Sequence, residues 1–181
     1  MMAYKENYCA EAMYFMRTND DTIINYENLQ SFLIKNYKNV HKPQIYGNMF
    51  QKAAVARTII SKWFVSEEEF PDPYYPDFCA GWSCLYTKAA VHAVLQQTLI
   101  NKYLWLDDVL FSGILAERGG IPRVNLPNLF LAEFKVKDYR NYLCKSSTKD
   151  FIAVHFHDLA KFMKKNRKID CRQKNAVKNK L

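Results

Sequence analysis

The sequence predicts an α/β protein, because apolar runs of strand length alternate with amphipathic helical patterns along one chain. Strands are expected over residues 11–18, 42–50, 84–86 and 151–156. Helices are expected over 26–37, after Thr87, and over 108–118. A length of 181 residues fits one domain, and the 49% hydrophobic content supplies a sizeable core. Twelve Tyr and twelve Phe argue against disorder.

Taken in order, residues 11–18 read as a strand because Ala12-Met13-Tyr14-Phe15-Met16 is an apolar run that stops at Asn19-Asp20-Asp21. Asn25 then has the features of a helix N-cap, and Leu29, Phe32 and Leu33 follow at i, i+3, i+4 spacing. Lys42 to Phe50 is a further strand. Residues 66–78 hold Pro71, Pro73 and Pro76, which exclude a helix. Cys84-Leu85-Tyr86 is a short strand, and Thr87 caps a helix with Val91, Val94 and Leu95 on one face. The helix from about Asp108 to Arg118 ends at Gly119-Gly120, a C-terminal stop signal. After the strand at Phe151–Phe156, a last helix is expected to run into a basic tail.

The net charge of +8 belongs to that tail. Residues 1–160 hold 17 Lys/Arg and 17 Asp/Glu, whereas residues 161–181 hold nine basic residues and one acid. Such a tail reads first as a solvated, frayed end. No RNA- or DNA-binding motif accompanies it, so no nucleic-acid partner is expected. An anionic-membrane role is the weaker alternative. No apolar run of about 18 residues spans a membrane, and the polar N-terminus is not a signal peptide. The five cysteines show no CxxC or Cys/His zinc spacing.

Two acidic pairs carry the chemical signal. Asp20-Asp21 lies at the C-terminal end of a strand, the edge where open α/β sheets bind ligands. Carboxylates there suit Mg²⁺ or Mn²⁺, which also take phosphate oxygens. The plainer reading is a turn that starts the next helix. Asp107-Asp108 lies at a helix N-terminus, where a carboxylate is either a cap or a poised general base. His155 ends the strand Ile152-Ala153-Val154 and is either a metal ligand beside Asp21 or a structural histidine. His41, His92 and His157 carry no local signal. The aromatic stretch 70–82 either stacks on a sugar face or packs around its proline turns.

In order and spacing, these features resemble the beta-1,3-galactosyltransferase family over about residues 8–163. Tyr8-Cys9 through Met16-Arg17-Thr18-Asn19-Asp20-Asp21-Thr22-Ile23-Ile24-Asn25 resembles the family's stretch ending in an Asp-Asp-Asp metal motif. Lys62-Trp63-Phe64-Val65-Ser66 with Tyr75-Pro76-Asp77-Phe78-Cys79-Ala80-Gly81 resembles its Tyr-Pro-x-Tyr-Cys-x-Gly region. Leu106-Asp107-Asp108-Val109 with Gly113 resembles its Glu/Asp-Asp-Val motif, and Val154-His155 its late Val-His.

The resemblance implies an inverting GT-A (Rossmann-like) fold that uses a UDP-sugar donor and a Mn²⁺ or Mg²⁺ ion. It implies transfer of galactose or N-acetylglucosamine to the 3-hydroxyl of a glycan acceptor on a glycoprotein or glycolipid. Asp21, with Asp20 and His155, would hold the metal. Asp108 would be the base and Asp107 its neighbour in the catalytic pair. Tyr75, Gly81, Trp82 and Trp63 would bind substrate. Cys9 and Cys79 fall on family cysteine positions, which suggests a disulfide between them. Asn19 departs from the triad's first Asp and removes a charge.

Family members also carry a cytoplasmic tail, membrane anchor, stem and first catalytic strands ahead of this region. The chain is therefore expected to be an N-terminally truncated catalytic domain over residues 1–163, with a basic tail over 164–181. Its site would be the lumenal side of the Golgi membrane, reached only through an N-terminal anchor absent from this sequence. The runner-up is a catalytically inactive fragment that serves as a carbohydrate- or partner-binding module.

Overall fold

The computed structural model describes residues 1–100, 102–131 and 151–156. The expected final helix and the basic tail lie outside them. Among the described residues, helices α1 (Met2–Tyr8), α2 (Tyr26–Lys35) and α3 (Lys88–Thr98) are joined by a π-helical segment, Val109–Ile114, that runs into α4 (Leu115–Arg118). The strands are β1 (Tyr14–Thr18), β2 (Thr22–Ile24), β3 (Ile45–Phe50), β4 (Phe78–Thr87), β5 (Arg123–Asn125), β6 (Phe130–Leu131) and β7 (Ala153–His155). The α/β class holds. Both sheets are mixed: one is ordered β1-β4-β3-β5 and the other β2-β7-β6. Antiparallel pairs join β1 to β4, β3 to β4 and β2 to β7, and parallel pairs join β3 to β5 and β6 to β7.

Local chemistry sets the element ends. The Asn25 side chain accepts a hydrogen bond from the Asn28 amide (3.1 Å), and the Thr87 hydroxyl accepts from the Ala90 amide (3.1 Å). Both are side-chain caps on otherwise orphaned N–H groups. Helix α4 stops where the Ile121 amide donates to the Ala116 carbonyl and the Gly120 amide to the Glu117 carbonyl. Gly120 takes φ +60°, the left-handed turn that this closure requires. The proline-rich segment 66–77 forms no regular element, as its composition predicts.

Strand β4 corrects the expected short strand at 84–86. It runs ten residues, and nine of them are buried. Cys79, Cys84 and Tyr86 join one apolar cluster with α3, the π segment and α4. Ala80, Trp82 and Leu85 join a second cluster with α2, β6 and β7. A strand covered on both faces loses the polar–apolar alternation that marks a half-exposed one. Leu29, Phe32 and Leu33 of α2 pack on the second cluster, as their spacing predicts.

The β3–β4 ladder is irregular at its centre. Gly47 pairs with Cys84 and Met49 with Cys79, so residues 80–83 of β4 are displaced from it. The backbone groups freed there turn toward other parts of the chain.

Candidate active site

The bulge in β4 collects both acidic pairs. The Asn19–Asp21 turn links β1 to β2 and is pinned against the Trp82 carbonyl. That oxygen accepts from the Asn19 amide (3.1 Å) and from the Thr22 hydroxyl (3.1 Å). Asp20 points outward and is exposed, whereas Asp21 is half-buried. The Asp21 carbonyl accepts from the Phe156 amide (2.9 Å), and Thr22 pairs with His155 across β2 and β7. This register brings Asp21 Oδ2 to 3.2 Å from His155 Nε2. The imidazole lies parallel to the Trp82 indole at 5.8 Å between ring centres, tilted by 17°.

A divalent cation fits this pair in part. Asp21 Oδ1 is buried and has no hydrogen-bond partner among the described residues. A buried carboxylate oxygen without a donor is costly, and a cation would satisfy it. Asp21 and His155 supply an oxygen and a nitrogen donor. No group of three or more His, Cys, Asp or Glu side chains gathers among the described residues. Two protein ligands leave room for phosphate oxygens and water, as Mg²⁺ and Mn²⁺ sites commonly do. Asp20, expected as a ligand, is turned to solvent because the turn's backbone is held by Trp82 on its inner side.

The second pair sits at the mouth of the π segment. Asp107 is exposed and Asp108 half-buried. Asp108 Oδ2 accepts from the Gly81 amide (3.1 Å), a group freed by the bulge, and Oδ1 accepts from the Val109 amide (2.9 Å). Burial pushes the Asp108 carboxyl above the ordinary range, and the Asp107 charge adds to this. The Val109 and Gly81 amides and the Arg17 guanidinium oppose it. A carboxylate made more basic and aimed by two amides is suited to accept a proton.

The Ser112 hydroxyl braces this arrangement. It is fully buried, donates to the Asp108 carbonyl (2.7 Å) and accepts from the Cys79 amide (2.9 Å). The π turn brings Ser112 and Gly113 onto β4 together. A Cβ at Gly113 would approach the Phe78 Cβ to 3.1 Å. π-helical turns of this kind recur at functional sites.

Arg17 is a site residue that sequence patterning missed. Its Nη2 donates to Asp107 Oδ2 at 2.8 Å, across 90 residues of chain. A signal for it exists. Arg17 follows the apolar run Met13–Met16 and shares a strand face with Phe15, so its charge needs an anion.

Gly81 and Trp82 fall at the meeting point of the two acidic sites, one on each side. The remaining expected residues do not. The Tyr75 ring is 7% exposed and packs against Phe70 and Phe78 in the core, so it presents no face to a sugar. Burial also raises its phenol. Trp82 is 8% exposed and occupied by His155, which makes it a support rather than an open platform. Trp63 is 55% exposed and stacks on Trp105, with Lys62 Nζ 4.8 Å from its ring centre. The expected disulfide is not formed. Cys9 is an exposed free thiol just past α1, and Cys79 is a free thiol buried inside β4.

No helix among the described residues is long and apolar enough to cross a membrane. The Galactosyltransferase family model matches residues 1–127, a stretch that includes Asp21, Gly81, Trp82, Asp107 and Asp108 but not His155. Beta-1,3-galactosyltransferase 1 of Homo sapiens is 27% identical over 120 residues, which cover 66% of this chain and 36% of that protein. The Mus musculus protein of the same name aligns with the same figures. Beta-1,3-galactosyltransferase 5 of Homo sapiens is 32% identical over 111 residues, 61% of this chain and 35% of that protein. The chain therefore spans about a third of the length of these relatives. Because the match covers well over half of the sequence and contains both acidic sites, the chain belongs to the galactosyltransferase family.

Proposed function

We propose that this chain is a hexosyltransferase of GT-A fold. It would move galactose or N-acetylglucosamine from a UDP-sugar to the 3-hydroxyl of a glycan acceptor on a glycoprotein or glycolipid. The linkage would be beta-1,3, formed with inversion, on the lumenal side of the Golgi membrane. The observation that carries this reading is the convergence of two unlike acidic sites on consecutive residues of β4. Gly81 holds Asp108, and Trp82 supports Asp21 and His155.

In this reading Asp108 accepts the proton of the acceptor 3-hydroxyl. The freed oxygen attacks the anomeric carbon from the face opposite UDP, so one displacement inverts the centre and no covalent intermediate forms. The Gly81 and Val109 amides fix the carboxylate's direction. Asp21 and His155 would hold Mn²⁺ or Mg²⁺, which when bound offsets charge on the diphosphate leaving group. Trp63, exposed beside Trp105, offers a flat apolar ring to an acceptor sugar.

The experiment is UDP release from UDP-galactose or UDP-N-acetylglucosamine with Mn²⁺ and a glycan acceptor. Asp108→Asn is expected to reduce transfer by a factor of about 100 or more while donor binding persists. Chelation by EDTA is expected to stop transfer and weaken donor binding. Absence of both donor binding and turnover in the wild-type chain would sink the transferase reading and favour a binding module. Undiminished transfer by Asp108→Asn would remove Asp108 from the base role.

A further inference from the structure

We propose that Arg17 is a positioning residue that clamps the acidic pair. One guanidinium nitrogen holds Asp107 and the other faces the Asp108 carboxylate, favouring its anionic, proton-accepting form. The clamp is a property of the folded chain. Only its consequence for turnover rests on the reading of Asp108 as a base.

The geometry carries it in three parts. First, Arg17 is built into the sheet: it pairs with Cys84 across β1 and β4, so its side chain leaves from a fixed backbone. Second, its two terminal nitrogens have different fates. Nη2 donates to Asp107 Oδ2 at 2.8 Å. Nη1 is buried and has no hydrogen-bond partner among the described residues. Third, Gly81 opens the space between Nη1 and Asp108. A Cβ at position 81 would lie 2.9 Å from Arg17 Nη1, 2.9 Å from Asp108 Oδ2 and 3.1 Å from the Asp108 Cβ. Guanidinium and carboxylate thus flank one gap, and only the absence of a side chain keeps it open.

The groups around Asp108 are Asp107 on its own segment, Arg17 from β1, the Gly81 amide and the Cys84 thiol from β4, and Tyr75 from the preceding loop. Arg17 is the cation among them. Without it, a partly buried carboxylate would face a like charge and two weakly acidic groups. Lysine would not replace it fully, because a single ammonium cannot serve Asp107 and face Asp108 from two fixed directions.

The test is a carboxyl titration that requires no turnover. The full chain is labelled at aspartate ¹³Cγ, and the Asp108 resonance is identified by its loss in Asp108→Asn. Arg17→Gln keeps a donor for Asp107 but removes the charge. It is expected to raise the Asp108 midpoint by about 1 pH unit. Arg17→Lys is expected to fall between wild type and Arg17→Gln. Should Arg17→Gln fail to fold, Arg17→Lys decides alone: a midpoint above wild type supports the clamp. An unchanged or lower midpoint in the variant that folds overturns it. Where the wild-type chain turns over donor, the acid limb of its pH–rate profile is expected to move to higher pH in Arg17→Gln. A wild type without turnover defeats the transferase reading, and the titration still decides the clamp.

Discussion

Asp108 carries a structural cost that depends on pH. Burial holds its carboxyl above the ordinary aspartate value, so the folded chain binds that proton more tightly than the unfolded chain does. Its stabilising contribution is then complete below about pH 3.9 and is lost as pH rises through the folded value. Asp108→Asn never ionises. Its stability relative to wild type is therefore expected to improve as pH rises from about 4 through the folded value, and to level off above it. Urea unfolding at several pH values checks this, and a stability difference that stays flat with pH would contradict it. At this scale the sequence singles out Asp21, Asp108 and His155 as candidates because each ends or begins an apolar run, and the fold places Asp21 beside His155. It does not single out Arg17, since one cation in a strand is informative only when its anion, Asp107, is known to be adjacent. Core packing and sugar stacking stayed open for Tyr75 for a related reason: an aromatic among prolines has the same sequence signature inside the core as outside it, and the fold buries this one.

At the scale of elements, the π segment is tied to β4 by side-chain hydrogen bonds as well as by packing. Ser112 is the joint between them. Ser112→Ala would leave the buried Cys79 amide without its acceptor, at a cost of about 1–3 kcal/mol. Chemical denaturation measures the loss, and a change below about 0.5 kcal/mol would mean that the amide finds another acceptor. The capped helices α2 and α3 were readable because Asn25 and Thr87 act locally. The full extent of β4 was not, because its two-sided burial erases periodicity and Gly81 resembles a break. Strands β2, β5 and β6 are two or three residues long and exist only through their partners, so no local pattern announces them.

For the whole molecule, β4 is the common support of both apolar clusters and both acidic sites. Trp82 sits where these duties overlap. Trp82→Ala is expected to cost about 3–5 kcal/mol through loss of packing in the second cluster. It is also expected to weaken donor binding, since His155 loses the surface it lies on. Thermal unfolding and calorimetric titration with a UDP-sugar would separate the two effects. A stable Trp82→Ala chain with unchanged donor affinity would deny the indole its supporting role. The α/β class was visible in the alternation of patterns. The mixed pairing of the sheets was not, because strand direction follows from connections that composition does not encode.

The stacking of Trp82 on His155 has an optical consequence. The chain holds three tryptophans, and the other two, Trp63 and Trp105, are partners of each other. Replacing that pair by phenylalanine would leave Trp82 as the sole indole emitter, with an imidazole against its face. The fluorescence of such a variant would thus report directly on what lies against the Trp82 ring, without label or substrate.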